Sequence, residues 1–237
     1  MPWPPSPLIG SLVVIAAYML VRSAIYELFP VTTQESWFLR DAIVCIPRLL
    51  ALVALLYLNR TWRVARMDFP LKGLGRTILW SIAPLALWTF YFSGSKGDSF
   101  VPWMIAVGFI TSMIVGLFEE YAFRGPLLTT LHQQLGYVGS ILISSFLFAL
   151  FHLQAQPFSH CLMILLTGII LANLRLRGIG LGWLALLHGL IDASAFLFHT
   201  QSADALGLHG LAVHAGLLVL ALISYPRAIF TQPAFHP

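Results

Sequence analysis

Long apolar runs recur along almost the whole chain, and they constrain its fold more than any other feature. A helix needs about 20 mostly apolar residues to cross a bilayer. Eight runs approach or reach this length: 8–28, 41–59, 76–93, 101–123, 138–154, 158–175, 180–199 and 206–225. Only 9% of the 237 residues are charged, whereas a soluble domain carries about 25%. The sequence therefore predicts an all-α polytopic membrane protein with about eight transmembrane helices.

Basic residues follow every second run. Five lie between the second and third runs (Arg60, Arg63, Arg66, Lys72 and Arg76), and others follow the fourth, sixth and eighth. Because Lys and Arg favour the cytoplasmic side, this pattern predicts that both termini are cytoplasmic. The net charge of +4 thus indicates topology rather than nucleic-acid binding. Without repeats or linkers, residues 1–237 are expected to form a single transmembrane domain, and the short loops suit a bacterial plasma membrane. The first run lacks the flanks of a signal peptide, so we expect a retained helix.

The segment between the fourth and fifth runs is amphipathic. Leucines recur at helical spacing from Leu127 to Leu135, with Thr, His and Gln between them. Pro126 suits the first turn of a helix. We expect a short helix over 126–136 that lies at the membrane interface or dips into it.

Charged side chains appear at the end of the fourth apolar run, where they are costly. Ionisable groups inside a membrane segment cost about 2.5–3.5 kcal/mol each and are by default functional candidates. Glu120 and Arg124 are spaced i and i+4, the favourable order for an ion pair on one helix face. Glu119 is then free to point elsewhere. The alternative is an ion pair that simply closes this helix at the headgroups.

Two further runs carry polar residues. The fifth ends in Phe148-Ala149-Leu150-Phe151-His152, and the seventh contains His188 and Asp192 at i and i+4, with Gly189 allowing a helix or a substrate to approach. An interfacial histidine and a structural His–Asp pair are the alternatives. Together with the glutamates, these residues can activate a water by general-base chemistry or bind a metal that does so. Glu119, His152, His188 and Asp192 form a sensible zinc set, although no H-E-x-x-H motif is present.

An arginine also lies inside the second run. Arg48 follows the helix-kinking Pro47. It can pair with an acid of the site, bind the C-terminal carboxylate of a substrate, or extend its head group to the interface. We interpret Arg22 and Glu27, near the end of the first run, as residues whose charged groups extend to the membrane interface.

The motifs E-E-x-x-x-R, F-x-x-x-H and H-x-x-x-(N/D), in this order over residues 101–195, resemble those of the CAAX-processing and bacteriocin-processing (CPBP, or Abi) intramembrane proteases. That family includes the type II CAAX prenyl endopeptidases. The resemblance implies that Glu119 is the general base, that Glu120 pairs with Arg124, and that His152 positions the water. It implies that His188 and Asp192 stabilise the oxyanion.

One position departs from the family pattern. Asn is typical where this chain has Asp192, and an ionised Asp cannot donate a hydrogen bond to an oxyanion. Three readings stay open at this point: Asp192 is protonated, it orients His188, or it is a metal ligand.

The resemblance implies an intramembrane endopeptidase that acts on a membrane-anchored or prenylated substrate and needs no cofactor, with zinc as the possible exception. We expect its site to open toward the cytoplasm. The alternatives are a non-catalytic bacteriocin-immunity protein and a proton-coupled transporter, although transporters usually show internal repeats. One geometric conflict follows from the predicted spans. Glu119 would lie near the cytoplasmic end of the fourth, but His152 near the far end of the fifth.

Overall fold

The computed structural model describes residues 6–93, 100–197 and 208–224. Most of these residues are helical, and there is no strand among them. The helices are α1 (Pro7–Leu28), α2 (Gln34–Trp62), α3 (Leu74–Ser93), α4 (Pro102–Ala122), α5 (Leu128–His152), α6 (Cys161–Leu176), α7 (Leu181–Leu197) and α8 (Leu208–Ser224). A π-helical segment, Phe123–Leu127, joins α4 to α5, and a 3₁₀ turn, Phe158–His160, precedes α6. The predicted all-α class is confirmed.

Several helices have the length and composition of membrane spans. Four stretches qualify: Pro7–Leu28, Gln34–Trp62, Pro102–His152 and Phe158–Leu176. Leu181–Phe196 and Leu208–Ser224 are apolar but shorter. These helices support an integral membrane protein. The number of eight spans and the orientation of the termini remain predictions, and the basic residue after the eighth run, Arg227, lies outside the described residues.

Helices α4 and α7 approach each other closely at two glycines. A side chain at Gly116 would overlap the carbonyl oxygen of Ala185 and would lie 2.7 Å from the backbone nitrogen of Gly189. Gly189 in turn packs against Met113, whose Cα atom would be 3.1 Å from an added Cβ. The expected close approach at Gly189 is therefore present. It brings the acidic end of α4 alongside the middle of α7.

Gly136 breaks α5 into two arms. Its backbone angles (φ +68°, ψ −167°) are not helical, and a positive φ favours glycine. Ser144 donates to the carbonyl oxygen of Phe123 (3.2 Å), and the Phe123 ring packs on Phe148 (5.3 Å). The two arms therefore run antiparallel, with Gly136 almost midway in sequence between Glu119 and His152. This reversal returns the chain to the depth of Glu119 and removes the predicted conflict.

The first arm of α5 corresponds to the predicted amphipathic helix. Leu128 and Leu131 are buried, whereas Gln133 and Gln134 are exposed. Helix α5 begins at Leu128 rather than at Pro126, because Gly125 and Pro126 lie within the preceding π-helical turn. The predicted pattern holds in part, because Leu135 is exposed and Thr130 is buried; the position at the membrane interface stays a prediction.

The loop between α2 and α3 packs against the junction of α6 and α7. Asp68 accepts a hydrogen bond from the backbone of Leu181 (2.9 Å) and pairs with Arg175 (3.4 Å). The Arg76 guanidinium donates to the carbonyl oxygen of Arg177 (3.5 Å). We call this end of the bundle, where α2 and α6 end and α3 and α7 begin, the basic end.

Candidate active site

Glu119 faces two histidines from different helices. Its Oε2 atom lies 3.4 Å from Nε2 of His152 and 3.8 Å from Nε2 of His188. Only 2% of Glu119 is exposed. A buried carboxylate beside two imidazole nitrogens is an arrangement typical of proton transfer. The structure thus brings together three of the predicted catalytic side chains.

The orientation of His152 is set by its own helix. Its Nδ1 atom lies 2.8 Å from the carbonyl oxygen of Phe148. Because a carbonyl oxygen only accepts, Nδ1 carries the proton of this hydrogen bond. In the neutral ring, Nε2 is therefore an acceptor, and it is this atom that points to Glu119. In the F-x-x-x-H motif, the residue one helical turn before the histidine, Phe148, thus supplies the backbone carbonyl that orients the imidazole ring.

Glu120 links the ion pair to the second histidine. Its Oε1 atom lies 3.2 Å from Nη1 of Arg124 and 2.8 Å from Nδ1 of His188. The side chains of Glu120 and Arg124 are fully buried. The predicted Glu120–Arg124 pair is present, but the contact of Glu120 with His188 was not predicted. No sequence signal indicates it, because the two residues lie on separate helices.

Arg124 and Phe148 close the floor of the site. Arg124 donates to the carbonyl oxygen of Gly168 (3.3 Å), and its guanidinium carbon lies 4.0 Å from the centre of the Phe148 ring. The same ring meets the rings of His152 (4.5 Å between centroids) and His188 (5.7 Å) edge to face. Phe148 therefore packs against both histidines and the buried cation.

Asp192 lies one turn beyond His188. Its Oδ2 atom is 3.7 Å from His188 Nε2, which is too long for a direct hydrogen bond. The side chain is 38% exposed, unlike the other acids of the site. Nε2 of His188 thus faces two carboxylates, Asp192 and Glu119.

A cavity of about 620 Å³ extends from these residues. Arg22, Arg40 and Arg48 line it together with Glu119, His152, His188 and Asp192. Arg48 and Arg22 are each only 4% exposed, so neither extends to the surface as the interfacial reading requires. Arg48 lies 3.9 Å from Asp41, and its Nε atom has no partner among the described residues. Sequence reasoning missed Arg22 and Arg40 because only the packing of α1 and α2 turns them toward the cavity.

Glu119, His152, His188 and Asp192 are the four candidate metal ligands. Among the described residues, no group of three or more His, Cys, Asp or Glu side chains has an arrangement that could hold a metal ion. One nitrogen of His188 is already taken by Glu120. The metal-free site stays a prediction.

Residues 101–194 match a known protein family, the type II CAAX prenyl endopeptidase Rce1-like family. We refer to this matched stretch as the Rce1-like domain. No curated protein and no solved structure matches the chain. The Rce1-like domain contains Glu119, Glu120, His152, His188 and Asp192, whereas the three cavity arginines lie outside it.

Similarity to this family supports CAAX protease activity in general. It also supports a membrane location, in agreement with the apolar helices. The Rce1-like domain is thus the part of the chain that carries the candidate chemistry. Helices α1 and α2 add the cationic wall of the cavity.

Proposed function

We propose that this protein is an intramembrane endopeptidase that hydrolyses a peptide bond in a membrane-anchored or lipid-modified protein. Glu119 is the general base. The observation that carries the proposal is the position of its carboxylate, within 4 Å of the Nε2 atoms of two histidines at the floor of a cavity.

Glu119 and His152 hold the attacking water. Their facing atoms are 3.4 Å apart, so one water can lie about 2.8 Å from both. The carboxylate and the imidazole nitrogen then accept its two hydrogens, and its oxygen faces the substrate. Glu119 takes one proton as the oxygen attacks the carbonyl carbon. It returns that proton to the leaving nitrogen as the C–N bond breaks, which yields a new carboxylic acid group and a new amine.

His188 stabilises the oxyanion of the tetrahedral intermediate. Because its Nδ1 atom already contacts Glu120, a hydrogen bond to the oxyanion must come from Nε2, which requires the doubly protonated ring. Three carboxylates, those of Glu119, Glu120 and Asp192, lie within 4 Å of the ring nitrogens and favour this positive charge.

This arrangement gives Asp192 a role that suits an ionised carboxylate. It stabilises and orients the charged His188 instead of donating to the oxyanion itself. Among the three readings of the departure from Asn, the 3.7 Å contact with Nε2 favours this one.

Arg48 is proposed to bind an anionic group of the substrate, such as its C-terminal carboxylate. Its nearest acid, Asp41, lies 3.9 Å away, Nη1 makes a long contact with the Cys45 sulfur (3.8 Å), and Nε has no partner among the described residues, so the guanidinium keeps donors for a ligand. Arg22 and Arg40 line the same cavity and add to its positive charge.

The proposal is tested by comparing the protein termini of membranes that contain wild type or Glu119→Gln at matched levels. The control is Glu27→Gln, which removes an exposed glutamate outside the cavity. We expect termini that appear with wild type and Glu27→Gln but not with Glu119→Gln. Identical termini in all three membranes, with folded protein in each, would refute a protease that acts through Glu119. That result would favour the immunity or transport alternatives.

A further inference from the structure

The cavity extends away from the basic end of the bundle. Beyond its floor at Glu119 and His188, its lining comes from the opposite ends of the helices. These lining residues include Tyr26 near the end of α1, Trp37 near the start of α2, Phe92 near the end of α3 and Phe196 near the end of α7. The segment 154–157, which follows α5, also lines it and is exposed.

On the other side, the floor is closed. Glu120 and Arg124 are fully buried, as are Tyr121 and Leu127, and Phe123 is 1% exposed. Substrate therefore cannot reach Glu119 from the basic end without displacing this buried layer. The described cavity has its exposed lining only at the opposite end, where Asp192 is also partly exposed.

The distribution of charge orients these two ends in the membrane. The basic end carries five basic residues between Arg60 and Arg76, together with Arg175 and Arg177. Outside the cavity-lining arginines, the described connections at the opposite end carry no Lys or Arg. Lys96, which lies between α3 and α4 in sequence, is outside the described residues. Lys and Arg are strongly favoured in cytoplasmic loops. This rule therefore predicts that the basic end is cytoplasmic.

We infer that the cavity takes its substrate from the non-cytoplasmic face. The predicted cytoplasmic opening and the predicted cytoplasmic basic loops cannot both hold, because the structure places them at opposite ends. The substrate class is then a polypeptide whose cleaved segment lies on the outer side of the membrane. The choice of substrate rests on the proposed protease function, whereas the direction of access does not.

Thiol labelling tests the direction of access without any substrate. In a background that carries Cys45→Ser and Cys161→Ser, the cavity is probed by Ser112→Cys and, independently, by Val115→Cys. Thr61→Cys reports on the basic end, and Thr32→Cys, in the exposed connection of α1 and α2, reports on the opposite end. A permanently charged methanethiosulfonate reagent is applied to right-side-out and to inside-out vesicles.

A charged reagent crosses the bilayer poorly, so we expect labelling at the cavity cysteines to be roughly fifty-fold or more faster from the outside. Thr32→Cys should behave like the cavity cysteines, and Thr61→Cys should be labelled from the inside. Labelling of the cavity cysteines from the same side as Thr61→Cys would overturn the inference. It would also be overturned if neither cavity cysteine reacted from either side, in protein that elutes as a folded monodisperse peak.

The membrane termini then separate the two proposals. Termini that depend on Glu119 and map to outer segments of their proteins support both. Glu119-dependent termini that map to cytoplasmic segments would overturn the direction of access and leave the protease function standing. Outside labelling of the cavity with no Glu119-dependent termini would refute the protease function alone.

Discussion

Glu120 contacts both the buried Arg124 cation and His188, and two replacements of Glu120 test these two contacts separately. Glu120→Ala leaves Arg124 fully buried without a carboxylate. Removing one partner of a buried ion pair costs about 3–5 kcal/mol, a large part of the roughly 5–15 kcal/mol that stabilises a folded domain. We expect this variant to accumulate poorly in membranes and to show a lower melting temperature in detergent.

Glu120→Gln keeps an oxygen that accepts from His188 and Arg124, but it removes the negative charge. Unit charges 2.8 Å apart interact by about 6 kcal/mol at an effective dielectric constant of 20. The Arg124 cation at 3.2 Å offsets part of this. We therefore expect a loss of about 3 kcal/mol in transition-state stabilisation, which is on the order of a hundredfold in cleavage rate.

The assay measures melting temperature by size-exclusion chromatography of heated samples, and activity by the rate at which wild-type-specific termini form. Glu27→Gln is the control in both measurements. Wild-type cleavage by Glu120→Gln would refute the role of the Glu120 charge at His188. The double variant Glu120→Ala/Arg124→Met removes both charges and should melt higher than Glu120→Ala alone. An equal or lower melting temperature would refute the stability argument.

Four further outcomes are expected. Gly116→Ala forces α4 away from α7 and should lower the free energy of unfolding by about 1–3 kcal/mol. The control Gly75→Ala, in open space on α3, should be neutral or stabilising by up to about 1 kcal/mol. Equal melting temperatures of the two variants would contradict the close contact between α4 and α7. Asp192→Asn removes the negative charge beside His188 and should lower cleavage by roughly tenfold or more, as should Asp192→Ala. Wild-type cleavage by Asp192→Asn would show that this charge is not required. Arg48→Gln should raise KM while changing kcat little; a selective fall in kcat would place Arg48 in the chemical step instead. A zinc chelator should leave cleavage unchanged, and a loss that added zinc restores would establish a metalloprotease.

The local sequence pattern was sufficient to predict several features of the structure. Apolar run length predicts helices, because a helix satisfies its own backbone hydrogen bonds inside a membrane. Costly charges within those runs mark the site residues, and i, i+4 spacing predicts the Glu120–Arg124 pair. These features depend only on neighbours within one helix. The position of Gly136 also suggested the boundary between the amphipathic segment and the fifth run.

Contacts between helices could not be predicted in the same way. The Glu120–His188 contact depends on how closely α4 and α7 pack at Gly116 and Gly189. The meeting of Glu119 with His152 depends on the chain reversal at Gly136. In both cases the partners are far apart in sequence, so no periodicity connects them.

The amino-acid sequence by itself determined the helical class, the residues that carry charge into the apolar core, and the family to which their motifs point. Tertiary structure alone decided which atoms of those residues face each other, that the cavity has a cationic wall from α1 and α2, and that it extends away from the basic loops. The physical reason is that hydrophobicity and charge cost are properties of single residues and single helices, whereas a cavity exists only between packed helices.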